Sequence, residues 1–210
     1  SEDLIKSIHE NNTPLVLIDR NFPGTDISFS CLNNFRATEL TTRHLIEQGY
    51  ENIALVGYKT GMNHILDRIR GYEETMQAAG LGKYIQVKKV NLMNTKVEMN
   101  NVLDVLVNRK KVEAVIFLTN MLAVTGLYCL KDMQVRIPED IAFVGFNRND
   151  VFNLYPSTIT HIRQPLELIA TQAVNILVDK INHSELEIKS MTFSEPQLVV
   201  GASTPDKKDI

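Results

Sequence analysis

Short apolar runs alternate with amphipathic helical stretches over more than 100 consecutive residues of this chain. That rhythm leaves few folds open. Apolar runs are expected as strands over 15–18, 27–32, 53–57, 85–90, 114–118 and 141–146. Between them, apolar residues recur at helical spacing over 36–48, 65–79, 97–107 and 122–133, as in Ile65, Ile69, Tyr72, Met76 and Ala79. Gly49 and Gly80 stand where helices stop. Strands that are apolar throughout and separated by helices predict an α/β fold, with parallel sheets covered by helices on both faces. The alternation breaks at 158–163, a strand-like TITHIR, and Pro165 then opens a last helix reaching Ile181. Short strands over 191–193 and 197–200 follow, and the charged tail 205–210 is expected to fray.

At about 150 residues per domain, 210 residues make one large domain or two small lobes. The chain is 44% hydrophobic and 22% charged, with ten Gly and seven Pro, so it is neither disordered nor fibrous. No apolar run approaches the length of a membrane span. A net charge of −3 gives no basic footprint for nucleic acid. Cys31 and Cys129 match no metal-ligand spacing and read as buried thiols. The chain opens on Ser1-Glu2-Asp3, with no initiator Met and no signal peptide, and is expected to be a fragment of a longer protein.

Open parallel sheets bind ligands beyond the carboxyl ends of their strands. The residues that follow each expected strand are Asp19-Arg20, Asn33-Asn34, Tyr58-Lys59, Asn91, Thr119-Asn120 and Asn147-Arg148-Asn149. Amides both donate and accept, which suits a hydroxyl-rich or heterocyclic ligand; Asn and Asp are also common in such loops as caps and turns. No dinucleotide, Walker, nucleophile-elbow or zincin motif is present. His44 lies on an apolar helix face, and His9, His64, His161 and His183 show no ligand spacing. The pattern describes a binder, not an enzyme, with no cofactor.

Five segments, in order, resemble the LacI/GalR family of bacterial transcription regulators. They are residues 42–57 (TRHLIEQGYENIALVG), 68–72 (RIRGY), 136–146 (RIPEDIAFVGF), 156–165 (PSTITHIRQP) and 196–204 (PQLVVGAST). The resemblance implies a periplasmic-binding-protein-like fold of two α/β lobes around a ligand cleft. On this reading 1–33 with 165–192 form an incomplete N-terminal lobe, and 34–164 with 193–210 a complete C-terminal lobe. It also implies an absent helix-turn-helix headpiece, through which alone operator DNA would be bound, and a cytoplasmic homodimer with no membrane contact.

The resemblance carries effector-binding roles onto Asp19, Arg68, Asn120, Asn147 and Gln164, and more loosely Met93. The effector would be a sugar, nucleobase or related metabolite. A guanidinium at 68 can hold two hydroxyls or a carboxylate at once; its bland alternative is an ion pair with Asp67 or Asp19. The chain departs from the family at Asn147, Met121 and Asn33, where acids are usual, so its site is expected to be less acidic. Leu127, on a helix apolar on more than one face, and Tyr155, in an apolar segment after a strand, are expected at the dimer interface. A periplasmic sugar-binding transport protein is the alternative function.

Overall fold

The computed structural model describes residues 4, 5, 7, 8, 11, 13–22, 24–183 and 189–209; Ser1–Asp3, His9 and Ile210 lie outside the described residues. The chain divides into two compact units, residues 1–33 with 164–196 and residues 34–163 with 197–210.

In the first unit, strands β1 (Val16–Ile18), β2 (Ser28–Leu32) and β8 (Met191–Ser194) form a parallel sheet in the order β1-β2-β8. Helix α5 (Leu166–Asn182) packs on it. The Ser30 and Ser194 hydroxyls both donate to Gln172 Oε1 on that helix. Since Leu32 pairs with Ser194, the last boundary falls after Pro196 and not at 192–193, which would cut a strand in two. Val174, Val178 and Ile181 of α5 and Met191 and Phe193 of β8 are exposed.

The second unit is built on six strands: β3 (Ile53–Tyr58), β4 (Gln86–Val90), β5 (Ala114–Phe117), β6 (Ala142–Phe146), β7 (Thr160–Arg163) and β9 (Gln197–Val199). Their order is β4-β3-β5-β6-β7-β9, parallel throughout except for β9. Helices α1 (Asn34–Glu47) and α2 (Asn63–Ala78) cover one face, and α3 (Thr95–Asp104) and α4 (Asn120–Asp132) the other. The period of two divides the strands between the faces. Ile53, Leu55, Ala114, Ile116, Ala142 and Val144 join Tyr72 and Met76 of α2, while Ala54, Val56, Val115, Phe117 and Phe143 join Leu103 of α3 and Leu127 of α4. Each fully buried large side chain contributes about 1.5–3 kcal/mol. The helices begin about two residues before the first expected apolar position, because their opening residues are polar. Gly49 and Gly80 stop α1 and α2 with φ of +88° and +75°.

Residues 68–72 have a structural logic. The α1 and α2 backbones pass so close at Gly71 that a Cβ there would lie 2.3 Å from the Phe35 carbonyl oxygen. Thr38 of α1 donates to the Arg68 carbonyl at 2.6 Å across the same contact. The buried Tyr72 hydroxyl donates to the Ile53 carbonyl (2.7 Å) and accepts from the Gln86 backbone N–H (2.9 Å). In 136–146, the Asp140 carboxylate takes the Arg136 backbone N–H and two guanidinium N–H groups, at 2.7–2.9 Å. Those bonds hold its pKa down to about 2. Near the C-terminus, Ser203 Oγ donates to the Phe143 carbonyl (2.6 Å) and accepts the Thr160 N–H (2.9 Å). Thr204 Oγ1 bridges Thr160 Oγ1 and His44 Nε2. The tail does not fray as expected: Tyr50 donates to the Pro205 carbonyl, the Lys207 backbone N–H bonds the Gln48 carbonyl, and Lys207 pairs with Glu113.

Gly71→Ala places a methyl against backbone that cannot yield without parting α1 from α2. The expected result is a loss of about 1–3 kcal/mol in urea unfolding, although alanine is otherwise the better helix former by about 1 kcal/mol.

Candidate functional site

The second unit's strands deliver their loops to one edge, the carboxyl end of the sheet. Arg68, on α2, is 4% exposed. Its Nε donates to Asn34 Oδ1 at 2.8 Å and its Nη1 to the Leu118 carbonyl just past β5. The guanidinium carbon stands 3.7 Å from the ring centroid of Phe146, the last residue of β6. The guanidinium plane is therefore fixed at the carboxyl ends of β5 and β6. Asp67 pairs with Arg70.

Asn120 opens α4, whose first turn is capped by Thr119 Oγ1 accepting the Leu122 N–H. Asn120 Nδ2 donates to the Arg148 carbonyl (3.4 Å), and its Oδ1 accepts from Asn149 Nδ2 (2.8 Å). Asn149 Oδ1 in turn accepts the Val151 N–H. Asn147 follows Phe146 with φ of +61°, a conformation asparagine tolerates better than most side chains. Its backbone N–H is held by the Ile162 carbonyl at 2.7 Å. Among the described residues its side-chain amide meets no partner, and it is half-buried. Arg68, Asn120 and Asn147 thus share one sheet edge.

Three further residues carry an expected effector role. Met93 lies in a short 3₁₀ turn after β4 and is 86% exposed. Asp19 and Gln164 belong to the first unit. Asp19, at φ of +64°, is exposed at the end of β1, and Gln164 is half-buried, with an Oε1 that finds no hydrogen-bond partner. Leu127 is 2% exposed in the core under β5 and β6, so it offers no surface to a second copy, a correction to its expected interface role. Its helix is apolar on several faces because it fills the space between sheet and α3. Tyr155 is half-buried and lines a groove with Leu154, Arg136, Ile137 and Pro156, and burial raises its pKa.

Sequence reasoning passed over Asn34, Phe146 and Asn149 as working members of this cluster. Asn34 and Asn149 were visible as polar residues at strand ends. Nothing local marks Phe146 as the platform of a residue 78 positions earlier, since a terminal strand aromatic reads as core.

Among the described residues no group of three or more His, Cys, Asp or Glu side chains could hold a metal ion. Cys31 and Cys129 are free, buried thiols. Burial, then the nearby Asp19 charge, raises the Cys31 pKa to about 12. No helix among the described residues is long and apolar enough to cross a membrane.

Residues 42–204 match the periplasmic binding protein-like domain family. The chain belongs to that family. Within it, the transcriptional regulator RegA of Clostridium saccharobutylicum is 25% identical over 204 residues, covering 97% of this chain and 61% of RegA. The probable regulator EndR of Paenibacillus polymyxa is 26% identical, with 91% of this chain and 57% of EndR covered. The chain thus spans about three-fifths of the length of these relatives. A LacI-family regulator of Enterococcus faecium, solved with ribose bound, superimposes with a TM-score of 0.84 at 20% identity, over 98% of this chain and 76% of that one. The regulator CelR, solved with cellobiose, gives 0.82 at 25% identity, over 97% and 62%. The periplasmic-binding-protein-like fold, parallel sheets with helices on both faces, is what the second unit displays.

Within this family domain, the Arg68–Phe146 stack is testable by itself. A double-mutant cycle of Arg68→Met and Phe146→Leu, read by chemical unfolding, is expected to give a coupling energy of about 1–2 kcal/mol.

Proposed function

We propose that this chain is the effector-sensing domain of a LacI/GalR-type transcription regulator, binding a small polar metabolite at the carboxyl edge of its second unit. The observation that carries this reading is the Arg68 guanidinium, buried yet aligned at the ends of β5 and β6 beside the unused amide of Asn147. Arg68 grips a polar ligand, Asn147 donates and accepts, and Asn149 with Asn120 fixes the loop that carries Asn147. The named relatives are regulators, which favours sensing over transport, and no catalytic role is assigned to any residue. Operator DNA is contacted by another segment of the regulator, in the cytoplasm, since the net charge of −3 suits no groove. Effector and DNA binding are coupled by about 1–3 kcal/mol.

A thermal-shift panel of sugars and nucleobases, followed by calorimetry on the best hit, tests the site. Arg68→Lys cannot keep both hydrogen bonds and the stacked plane, and Asn147→Ala deletes the free amide. Each is expected to weaken the hit by about tenfold or more, with native circular dichroism retained. Unchanged affinity in both variants would place the site elsewhere.

The groove beside Tyr155 supports a homodimer. Leu154 is 81% exposed in it, next to the half-buried Tyr155. Leu154→Asp is expected to leave a folded monomer in light scattering, and an intact dimer would refute this face.

A further inference from the structure

Helices α1 to α4 of the second unit stop in two ways. Where α1 ends, the Gly49 backbone N–H reaches the Ile46 carbonyl and the Tyr50 N–H the Leu45 carbonyl. Gly80 and Leu81 repeat that pattern at the end of α2, on Gln77 and Met76. The same pair of bonds closes α4, from Gln134 to Lys131 and from Val135 to Leu130. Here, however, the left-handed residue is a glutamine, with φ of +58°. Helix α3 continues as a π-helical turn over Val105–Arg109 and stops at Lys111, with φ of +50°, where the Val112 N–H reaches back to the Leu106 carbonyl. Left-handed backbone costs a residue with a Cβ more than it costs glycine. The chain thus carries strain at two helix stops where glycine would relieve it.

Those two residues line one cavity. It has a volume of about 580 Å³ and lies at the amino end of the sheet, ahead of β3, β5 and β6 and away from Arg68. Ligand sites commonly hold roughly 300–1,000 Å³. Val107 of the π-helical turn, Val135 and Pro138 are half-buried and supply apolar wall, with the buried Tyr50. Lys111, Gln134 and Glu139 line it as exposed residues, and among the described residues their side chains have no hydrogen-bond or ion-pair partner. The other charges of the lining are spent within the chain, Glu113 on Lys207 and Asp140 on Arg136. Unpaired surface charge is common on this unit. What sets Lys111 and Gln134 apart is the strained backbone that carries them, and strained residues and π-helical turns both gather at functional sites.

We propose that this cavity is a second ligand site, separate from the edge at Arg68, and that it takes a zwitterion with an aliphatic body, such as a branched-chain amino acid. Lys111 meets the carboxylate, Glu139 the ammonium, and the Gln134 amide bonds either group, while Val107, Val135 and Pro138 cover the hydrocarbon. With one unspent charge of each sign among the described residues of its lining, the cavity suits neither a plain anion nor a plain cation. The carboxyl ends of α4 and of the π-helical turn add a negative pole that favours the ammonium. A glycine at 111 or 134 would ease the helix stop and delete a group that meets the ligand.

NMR titration of the whole chain with L-valine, L-leucine and L-isoleucine tests this. At least one of them is expected to saturate. Its decarboxylated and deaminated analogues, 3-methylbutylamine and 4-methylpentanoate in the case of leucine, are expected to bind about tenfold more weakly or worse. Lys111→Gly, Gln134→Gly and Glu139→Gln are each expected to weaken the amino acid by about tenfold or more. The two glycine variants are expected to hold or raise the urea midpoint, which a purely structural role for these side chains would lower. Asn147→Ala, at the opposite end of the sheet, is expected to leave the affinity unchanged. No saturation by any of the three amino acids, an analogue that binds as tightly as its parent, full affinity in all three cavity variants, or a urea midpoint lowered by both glycines would overturn the proposal. So would binding that is lost in Asn147→Ala and kept in Lys111→Gly, since the amino acid would then occupy the proposed effector edge.

Discussion

Burying a guanidinium costs several kcal/mol unless its donors and its charge are met, and the working edge of this domain is arranged around that demand at Arg68. The Asn34 amide, the Leu118 carbonyl and the face of Phe146 meet it. These partners come from α1, the end of β5 and the end of β6, so the guanidinium can be buried only when two helices and two strands are in place. Gly71, one turn further along α2, lets α1 approach closely enough for Asn34 and Thr38 to reach. The residues that stack the helices and the buried arginine at the sheet edge are therefore one segment, 68–72.

A second polar system closes the far side of the sheet. Ser203 takes the place of a strand neighbour for Phe143 and Thr160, and Thr204 carries the chain of hydroxyls on to His44. Buried backbone groups at a strand end need partners, and side-chain hydroxyls supply them where β9 has already ended. Burial lowers the His44 pKa, so the neutral imidazole is favoured against Thr204.

Much of the architecture was legible in residue order. The apolar runs located the strands because strands buried on both faces are mostly apolar, with a polar residue such as Ser30 admitted where it finds a hydrogen-bond partner. The helical period located the helices but misplaced their starts, because a first turn such as Asn63-His64 or Asn120-Met121 lies at the sheet edge, where burial imposes no pattern. Leu127 shows the limit of reading a face from one helix. An apolar residue on a second stripe means either a partner protein or another helix of the same chain, and α3 is that helix.

Residue order alone determined the α/β class, the spacing of the strands, the two helix stops at glycine and the set of polar side chains at the strand ends, since each follows from local period or backbone freedom. Only the tertiary structure decided which of those side chains are spent on one another. Asn120 is bound by Asn149, Asn34 by Arg68, while among the described residues the side chains of Asn147, Lys59 and Arg148 are left over. That division depends on which strands lie side by side, and pairing between β5 and β6, from segments nearly 30 residues apart, is a property of the packed sheet that no local signal encodes.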